Sequence, residues 1–165
     1  MCNEKKLYLL SGIPGSGKST WAKNYINTRI NRKVMWCSRD NIRFSLLKDS
    51  DNYFAHEDEV LANWYAMIND AITDSDIDRI IVDATHLTRK ARERTLSNLK
   101  NLDTVTLIGV EFDVPIGIAI ERNNKREGRA KVPETIIYNM AKSYTSITHD
   151  EFIKNHYAYL IEGET

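Results

Sequence analysis

Short apolar runs alternate with longer segments of helical spacing along this chain. Continuous apolar runs, which are typical of buried β-strands, cover residues 7–10, 34–37, 80–82 and 105–112. Between them the spacing predicts helices over residues 19–27, 41–47, 57–72, 88–102 and 115–126, with a further helix beginning at Pro133. Alternating strands and helices predict an α/β fold of three layers, in which a mainly parallel sheet has helices on both faces.

The composition is that of an ordinary globular protein, with 165 residues, of which 42% are hydrophobic and 28% charged. This length fits a single domain over residues 1–165, and no apolar run reaches the roughly 20 residues that cross a bilayer. We therefore expect a cytoplasmic protein. The formal net charge of zero argues against indiscriminate coating of nucleic acid, although a local basic groove is compatible with it. Cys2 and Cys37 lack metal-like spacing, and no disulfide is expected.

A phosphate-binding motif follows the first predicted strand. Residues 12–19 read GIPGSGKS and match G-x-x-x-x-G-K-[ST], in which glycines let successive backbone N–H groups point at a phosphate. Lys18 adds a positive charge, Ser19 offers a hydroxyl to Mg²⁺, and the next helix points its positive end at the same anion. We expect the phosphates of a nucleoside triphosphate to contact Gly12, Pro14, Gly15, Ser16, Gly17, Lys18, Ser19 and Thr20.

An acidic residue also follows the second predicted strand. Asp40 lies at the carboxyl edge of the sheet, where ligands of such folds bind, and Arg43 shares its helix face one turn later. A carboxylate there can take the proton of an attacking hydroxyl, a role worth about 10²- to 10⁴-fold in rate. Aspartate is also a favoured helix N-cap, and the spacing leaves both interpretations open.

The third predicted strand ends in Asp83, a position that in phosphate-transferring proteins faces the water shell of the metal or orients the attacking group. His86 follows in a loop that leads to a helix for which Thr88 is a candidate cap. A loop histidine serves either as a hydrogen-bonding residue or as a catalyst, and both interpretations stay open. The tail over residues 148–165, with His149 and His156, offers no assignable chemistry, and we expect it to pack on the sheet or add a strand.

Two stretches concentrate basic side chains. Residues 89–94, RKARER, have the ordinary spacing of a solvated helix face. Residues 122–133 place Arg122 and Arg126 on one helix face, break at Gly128 and resume at Pro133, which predicts a mobile, positively charged lid. Lid arginines neutralise charge on a phosphoryl group in transfer, an effect worth about 10³- to 10⁵-fold in rate. A solvated basic loop is the alternative.

These residues resemble the kinase domain of the phage-type 5′-hydroxyl polynucleotide kinases, from Leu7 through the helix after Pro133. The resemblance rests on the phosphate loop followed by Thr20-Trp21-Ala22, on Arg39-Asp40 with Arg43, on Asp83-x-Thr85, and on the lid with Lys131-Val132-Pro133. It implies a P-loop kinase fold that uses ATP or another nucleoside triphosphate and Mg²⁺, with DNA or RNA 5′ ends as acceptors.

The resemblance also implies individual roles. Asp40 is the general base on the 5′-hydroxyl, and Arg43 binds the 3′-phosphate of the terminal nucleotide. Arg126, with Arg122, holds the donor phosphates from the lid. Asp83 organises the site near Arg43 and the metal, which it contacts through water.

The chain departs from the family in three places. It carries His86 where members often have asparagine, and its lid has an extra residue around 127–129. No D-x-D-G-T motif of a 3′-phosphatase follows, so we expect either 5′ healing alone or separate ligase or phosphatase partners. Two alternatives remain, namely a related kinase of another hydroxyl (a modified DNA base, a nucleotide, a small metabolite or an RNA-borne group) and a nucleotide-dependent switch without transferase activity.

Overall fold

The computed structural model describes residues 4–148, 150, 151 and 159–161 of the chain. Cys2, His149 and His156 lie outside the described residues. Cys37 is a buried free thiol. Among the helices of the described residues, none combines the length and the apolar character needed to cross a membrane.

The five described strands form one sheet in which every neighbouring pair is parallel, as predicted. Their order in the sheet is β2-β3-β1-β4-β5, with β1 (Lys6–Ser11), β2 (Val34–Ser38), β3 (Arg79–Asp83), β4 (Thr106–Glu111) and β5 (Tyr159–Ile161). The order could not be read from the sequence. It puts β1 between β3 and β4, so the loop after β1 lies beside the carboxyl ends of both. The short β5 confirms that the tail adds an edge strand.

Helices follow the strands much as predicted. They are α1 (Lys18–Thr28), α2 (Arg39–Leu46), α3 (Glu57–Thr73), α4 (Arg89–Ser97), α5 (Ile116–Asn124) and α6 (Glu134–Ser143). The predicted Thr88 cap of α4 is confirmed, since its side chain accepts a hydrogen bond from the amide of Ala91. This helix ends at Ser97, before the predicted residue 102, and Asn101 with a left-handed φ of 58° precedes a short 3-10 helix.

Both faces of the sheet are buried, as the continuous apolar runs require. Leu7 and Leu9 face one core with Trp64 of α3, while Tyr8 and Leu10 face a second core with Tyr25 of α1. Successive side chains of a strand point to opposite faces, which explains this division. The two cores fix α1 and α3 on opposite sides and hold the carboxyl ends of the strands open to ligands.

The expectation of a solvated face over residues 89–94 is wrong for Arg92. Its guanidinium is fully buried and forms two hydrogen bonds of 2.7 Å with the carboxylate of Glu151. It also donates to the carbonyl oxygens of His86 and Thr145, at 3.0 and 2.9 Å. A buried cation with a bidentate partner is stabilised by these bonds, and Arg92 thereby ties α4 to the chain after α6.

Candidate active site

The loop between β1 and α1 has the backbone that phosphate binding needs. Gly15 and Gly17 have φ values of 80° and 102°, which residues with a Cβ rarely adopt. A Cβ on Gly15 would also collide with the carbonyl oxygen of Ala119 in α5. Glycine is therefore required at residue 15 by both backbone conformation and close packing. A glycine-rich loop ahead of a helix N-terminus is a ready site for a phosphate, because its backbone N–H groups can point at the anion.

Lys18 lies at the inner rim of this loop. Its Nζ donates hydrogen bonds to the carbonyl oxygens of Gly12 and Ile13, at 2.8 and 3.0 Å. Burial lowers its pKa to about 8, against the opposing effects of Asp83 and Asp40. Both carboxylates are thus close enough to act electrostatically on the ammonium group, which places the predicted acidic residues around the phosphate loop.

The lid arginines share a cleft with the phosphate loop. A cleft of about 350 Å³ is lined by Gly15, Gly17, Thr20, Arg122 and Arg126. Arg122 lies in the last turn of α5 close to the loop, with Nη1 3.4 Å from the position of a Cβ on Gly17. The structure therefore brings together the two regions that the sequence assigned to donor phosphates.

A buried asparagine holds the base of the lid. The side chain of Asn123 donates to the carbonyl of Val132 at 2.6 Å and accepts from its amide at 2.9 Å. Between these residues the chain turns at Gly128, whose φ is 59°, as expected for the predicted break. Arg129 in the turn donates to the carbonyl oxygens of Lys48 and Asp49, at 2.6 and 2.7 Å. The lid thus contacts the loop that follows α2.

Asp83 is buried at the end of β3 and accepts a hydrogen bond of 3.0 Å from the indole of Trp36. Burial raises its pKa, and the positive charge of Lys18 opposes this rise. In the described part of the chain, no group of three or more His, Cys, Asp or Glu side chains forms a metal cage. One hydroxyl from Ser19 and one nearby carboxylate nevertheless fit Mg²⁺, which prefers phosphates and water as its remaining ligands.

The structure assigns the cap of α2 to Ser38, whose hydroxyl accepts from the amide of Asn41 at 3.2 Å. The alternative in which Asp40 is this cap is therefore wrong. Asp40 lies in the first turn with 59% of its side chain exposed. Its carboxylate accepts hydrogen bonds from Arg43 and from the hydroxyl of Tyr53. The carboxylate is oriented and open, as a general base requires.

Arg43 is oriented by acidic neighbours. Its side chain is 5% exposed, and Nη2 donates to both carboxylate oxygens of Glu57, at 2.7 and 3.1 Å. Its Nη1 contacts Asp40 and donates to the hydroxyl of Tyr53 at 2.8 Å. The sequence did not predict that Arg43 contacts Glu57 and Tyr53.

His86 is a buried hydrogen-bonding residue. Nδ1 lies 2.7 Å from the carbonyl oxygen of Leu10, and Nε2 lies 3.0 Å from the hydroxyl of Thr95. A carbonyl accepts only, so Nδ1 carries the proton and Nε2 accepts from Thr95. Burial lowers the pKa of His86 to about 4, so the ring is neutral near pH 7. This geometry favours the hydrogen-bonding interpretation of His86.

Sequence reasoning missed Tyr53 and Glu57. Glu57 opens α3 in a run of acidic residues, where carboxylates are expected simply to complement the helix dipole. Tyr53 belongs to the loop between α2 and α3, whose residues 48–56, KDSDNYFAH, place two adjacent aromatic residues in a polar segment. That aromatic pair was the available signal, since aromatic rings in an otherwise polar loop indicate a residue with a structural or binding role.

A family of proteins described as an AAA domain matches residues 7–147 of the sequence. The chain belongs to this AAA domain family. The matched range contains the phosphate loop, both acidic strand ends and the whole lid. Most of the described structure therefore lies within the family match, and so does the candidate site.

Solved structures show the same fold. A chain in a Pnkp1/Rnl/Hen1 RNA repair complex is 26% identical to this AAA domain, with a TM-score of 0.68. The match covers 85% of this chain and 44% of that one, so this chain spans less than half the length of that protein.

Two further structures support the fold alone. A fungal RNA kinase is 16% identical over 95% of this chain and 74% of its own, with a TM-score of 0.61. A sugar kinase from Janibacter sp. HTCC2649 is 20% identical over 95% of this chain and 85% of its own, with a TM-score of 0.54. They share the α/β fold of P-loop kinases with this chain.

Proposed function

We propose that this AAA domain transfers the γ-phosphate of ATP, or of another nucleoside triphosphate, to the 5′-hydroxyl end of DNA or RNA. The observation that carries the proposal is the exposed carboxylate of Asp40, oriented by Tyr53 and Arg43 near the phosphate loop. A nucleotide switch needs no such base. The likeness to a chain of an RNA repair complex favours a nucleic-acid acceptor. The proposal includes that this chain is related to the phage-type 5′-hydroxyl polynucleotide kinases.

The donor side of the reaction uses the phosphate loop and the lid. The loop amides and Lys18 bind the β- and γ-phosphates, with Thr20 beside them, while Arg122 and Arg126, which line the same cleft, act on these phosphates from the lid. Mg²⁺, held by Ser19 and through water by Asp83, supplies neutralising charge when bound. Charges fixed in place before the reaction cost no reorganisation during phosphoryl transfer.

The acceptor side uses Asp40, which takes the proton of the 5′-hydroxyl as its oxygen attacks the γ-phosphorus. Arg43 holds this carboxylate in place and is the candidate ligand of the acceptor's 3′-phosphate, in exchange with Glu57. Residues 1–165 act as one catalytic unit with a lid over 122–133. In this proposal the protein works in the cytoplasm, alone or with a separate ligase or 3′-phosphatase.

The test is a transfer assay with γ-labelled ATP and two oligonucleotides that differ only at the 5′ end. We expect label on the 5′-hydroxyl strand and none on its 5′-phosphorylated twin. Running single-stranded DNA and RNA in parallel identifies the preferred acceptor. Equal or absent labelling of the hydroxyl and phosphate strands contradicts the proposal.

One observation favours a second candidate, a kinase of an uncharged hydroxyl acceptor such as a sugar. Glu57 already neutralises Arg43, and an uncharged acceptor needs no free cation beside the base. Glu57→Gln separates the candidates. It loosens Arg43 for an acceptor phosphate, so the first candidate expects a lower KM for a 3′-phosphorylated nucleoside, whereas the second expects no such gain and no gain for a sugar.

A further inference from the structure

Two exposed aromatic residues and a half-buried tyrosine between them form a surface beside Asp40, which we call the aromatic ledge: Phe44, Tyr53 and Phe54. Phe54 is 66% exposed and Phe44 is 38% exposed. The rings of Tyr53 and Phe54 meet edge to face with centroids 4.8 Å apart, and Phe44 meets Tyr53 in the same way at 6.3 Å. Exposing large aromatic rings to water is unfavourable, so a contiguous exposed group of them indicates a binding surface.

The ledge is held in place by polar contacts. The guanidinium of Arg43 lies 4.4 Å from the ring centroid of Tyr53 and 6.0 Å from that of Phe54. The hydroxyl of Tyr53 accepts from Arg43 and donates to Asp40, each at 2.8 Å. The amide of Phe54 donates to the side chain of Asn52 at 3.0 Å. A surface fixed in this way loses little conformational freedom when a ligand binds.

The position of the ledge relates it to the reacting group of the acceptor. The hydroxyl of Tyr53 contacts the Asp40 carboxylate, and the ring of Tyr53 contacts the ring of Phe54. An acceptor whose hydroxyl reaches Asp40 therefore lies beside Tyr53, and the ring of Phe54 is one aromatic ring further from the carboxylate. In a nucleoside, the base is separated from the 5′-hydroxyl by one ribose ring.

The charges under the ledge and the contact with the lid further restrict the kind of ligand that the ledge can bind. The carboxylates of Glu57 and Asp40 offset the charge of Arg43 under the ledge, so the surface suits an uncharged flat ring. Arg129 of the lid binds the carbonyls of Lys48 and Asp49, in the same loop that carries Tyr53 and Phe54. The loop that offers the rings is thus also the one that the lid contacts.

We propose that the aromatic ledge stacks the nucleobase of the acceptor's 5′-terminal nucleotide and so selects a nucleoside-bearing strand over a sugar. This inference rests on the proposed function and names the part of the acceptor that it recognises. Stacking on an aromatic ring tolerates every base, because each has a π-face. The ledge therefore binds single-stranded ends with little sequence preference, and Phe54 is its most exposed member.

The experiment compares two 5′-hydroxyl strands, one normal and one lacking only the base of the 5′-terminal residue. We expect Phe54→Ala to raise the KM of the normal strand by about 10-fold, within the range of one base–aromatic stack, and to abolish the preference over the abasic strand. Phe54→Trp retains the preference. The matched control is Ile30→Ala, which removes an apolar side chain that is 90% exposed in the loop after α1 and should behave like the wild type.

Phe54→Ala that keeps the wild-type preference, or that weakens both strands equally, overturns the ledge while the proposed function stands. If the wild-type chain phosphorylates neither strand, the proposed function fails, and anisotropy with 3′-labelled strands decides the ledge alone. In that case the ledge is supported if the wild type binds the base-bearing strand more tightly than the abasic strand and Phe54→Ala abolishes this difference. Equal binding of the two strands by the wild type, or no binding, overturns the ledge.

Discussion

The hydroxyl of Tyr53 donates a hydrogen bond of 2.8 Å to Oδ1 of Asp40. Burial first, and then the Asp40 carboxylate, raise the pKa of Tyr53 to about 12, so the hydroxyl keeps its proton and stays a donor near pH 7. This bond joins the loop after α2 to the first turn of that helix. It fixes the direction of the carboxylate that we propose as the general base.

Tyr53→Phe tests this relationship because it keeps the ring and removes the donor. We expect kcat for the 5′-hydroxyl strand to fall about 3- to 10-fold, the effect of losing one hydrogen bond.

Asp40→Asn removes the proposed base itself and should lower kcat by about 10²- to 10⁴-fold, with little loss of thermal stability because Ser38 is the cap of α2. Both are measured at saturating ATP. Tyr138→Phe, at an exposed tyrosine of α6, is the control, and equal kcat in Tyr53→Phe and Tyr138→Phe contradicts the assignment.

The lowered pKa of Lys18 predicts how nucleotide affinity depends on pH. Above about pH 8 the free protein loses the ammonium charge, while bound phosphates favour the charged form. Binding then takes up a proton, so the nucleotide Kd should rise with pH above this value, by up to about tenfold per pH unit. Calorimetric titrations at pH 7, 8 and 9 measure the slope.

Lys18→Arg is the matched variant for this prediction, since arginine stays charged across the range. Its Kd is expected to be weaker at pH 7 but flat up to pH 9, whereas Lys18→Ala should abolish transfer and leave the fold intact. A slope in Lys18→Arg equal to that of the wild type would assign the pH dependence to another group.

The lid arginines should matter for chemistry more than for binding. Arg126→Ala and Arg122→Ala each remove a cation that lines the donor cleft, and we expect kcat to fall by about 10³-fold or more. Lys125→Ala is the control, because Lys125 lies in the same segment but is 73% exposed and pairs with Glu121 at the surface. Its kcat should stay within about twofold, since exposed ion pairs contribute little. Similar losses in all three variants would point to general charge rather than to placed arginines.

The lowered pKa of His86 predicts that the free energy of unfolding falls in acid. The native state holds the ring neutral with a pKa of about 4, while the unfolded chain binds the proton near the ordinary value of 6.5. The stability contribution is therefore complete above pH 6.5 and is lost as the pH falls toward 4, by up to about 3 kcal/mol. Urea unfolding at pH 7, 6, 5 and 4.5 measures this loss.

His86→Asn is suited to separating this effect from the carboxylates that titrate nearby. The backbone of His86 has a φ of 43°, a left-handed conformation that asparagine tolerates better than most residues. The variant is expected to be less stable at pH 7 but to lose less stability than the wild type between pH 6.5 and 4.5. Parallel curves for the two proteins would remove His86 as the cause.

Local sequence determined the framework of this protein. Buried parallel strands need continuous apolar runs, and the glycines of residues 12–17 satisfy backbone angles within a single turn, so both are visible over a few neighbouring residues. For the same reason the cap at Thr88 and the breaks at Gly128 and Pro133 could be predicted, although helix ends such as that of α4 shifted by several residues.

Tertiary structure decided which side chains meet. Glu57 faces Arg43 because α3 packs beside α2, and Arg92 is buried because the chain after α6 returns to α4 with Glu151. Neither pairing leaves a periodic signal, since the partners are 14 and 59 positions apart. From the sequence alone, a charged residue is predicted to be exposed to solvent. Whether the fold buries it against a partner of opposite charge depends on packing between elements rather than on spacing within one element.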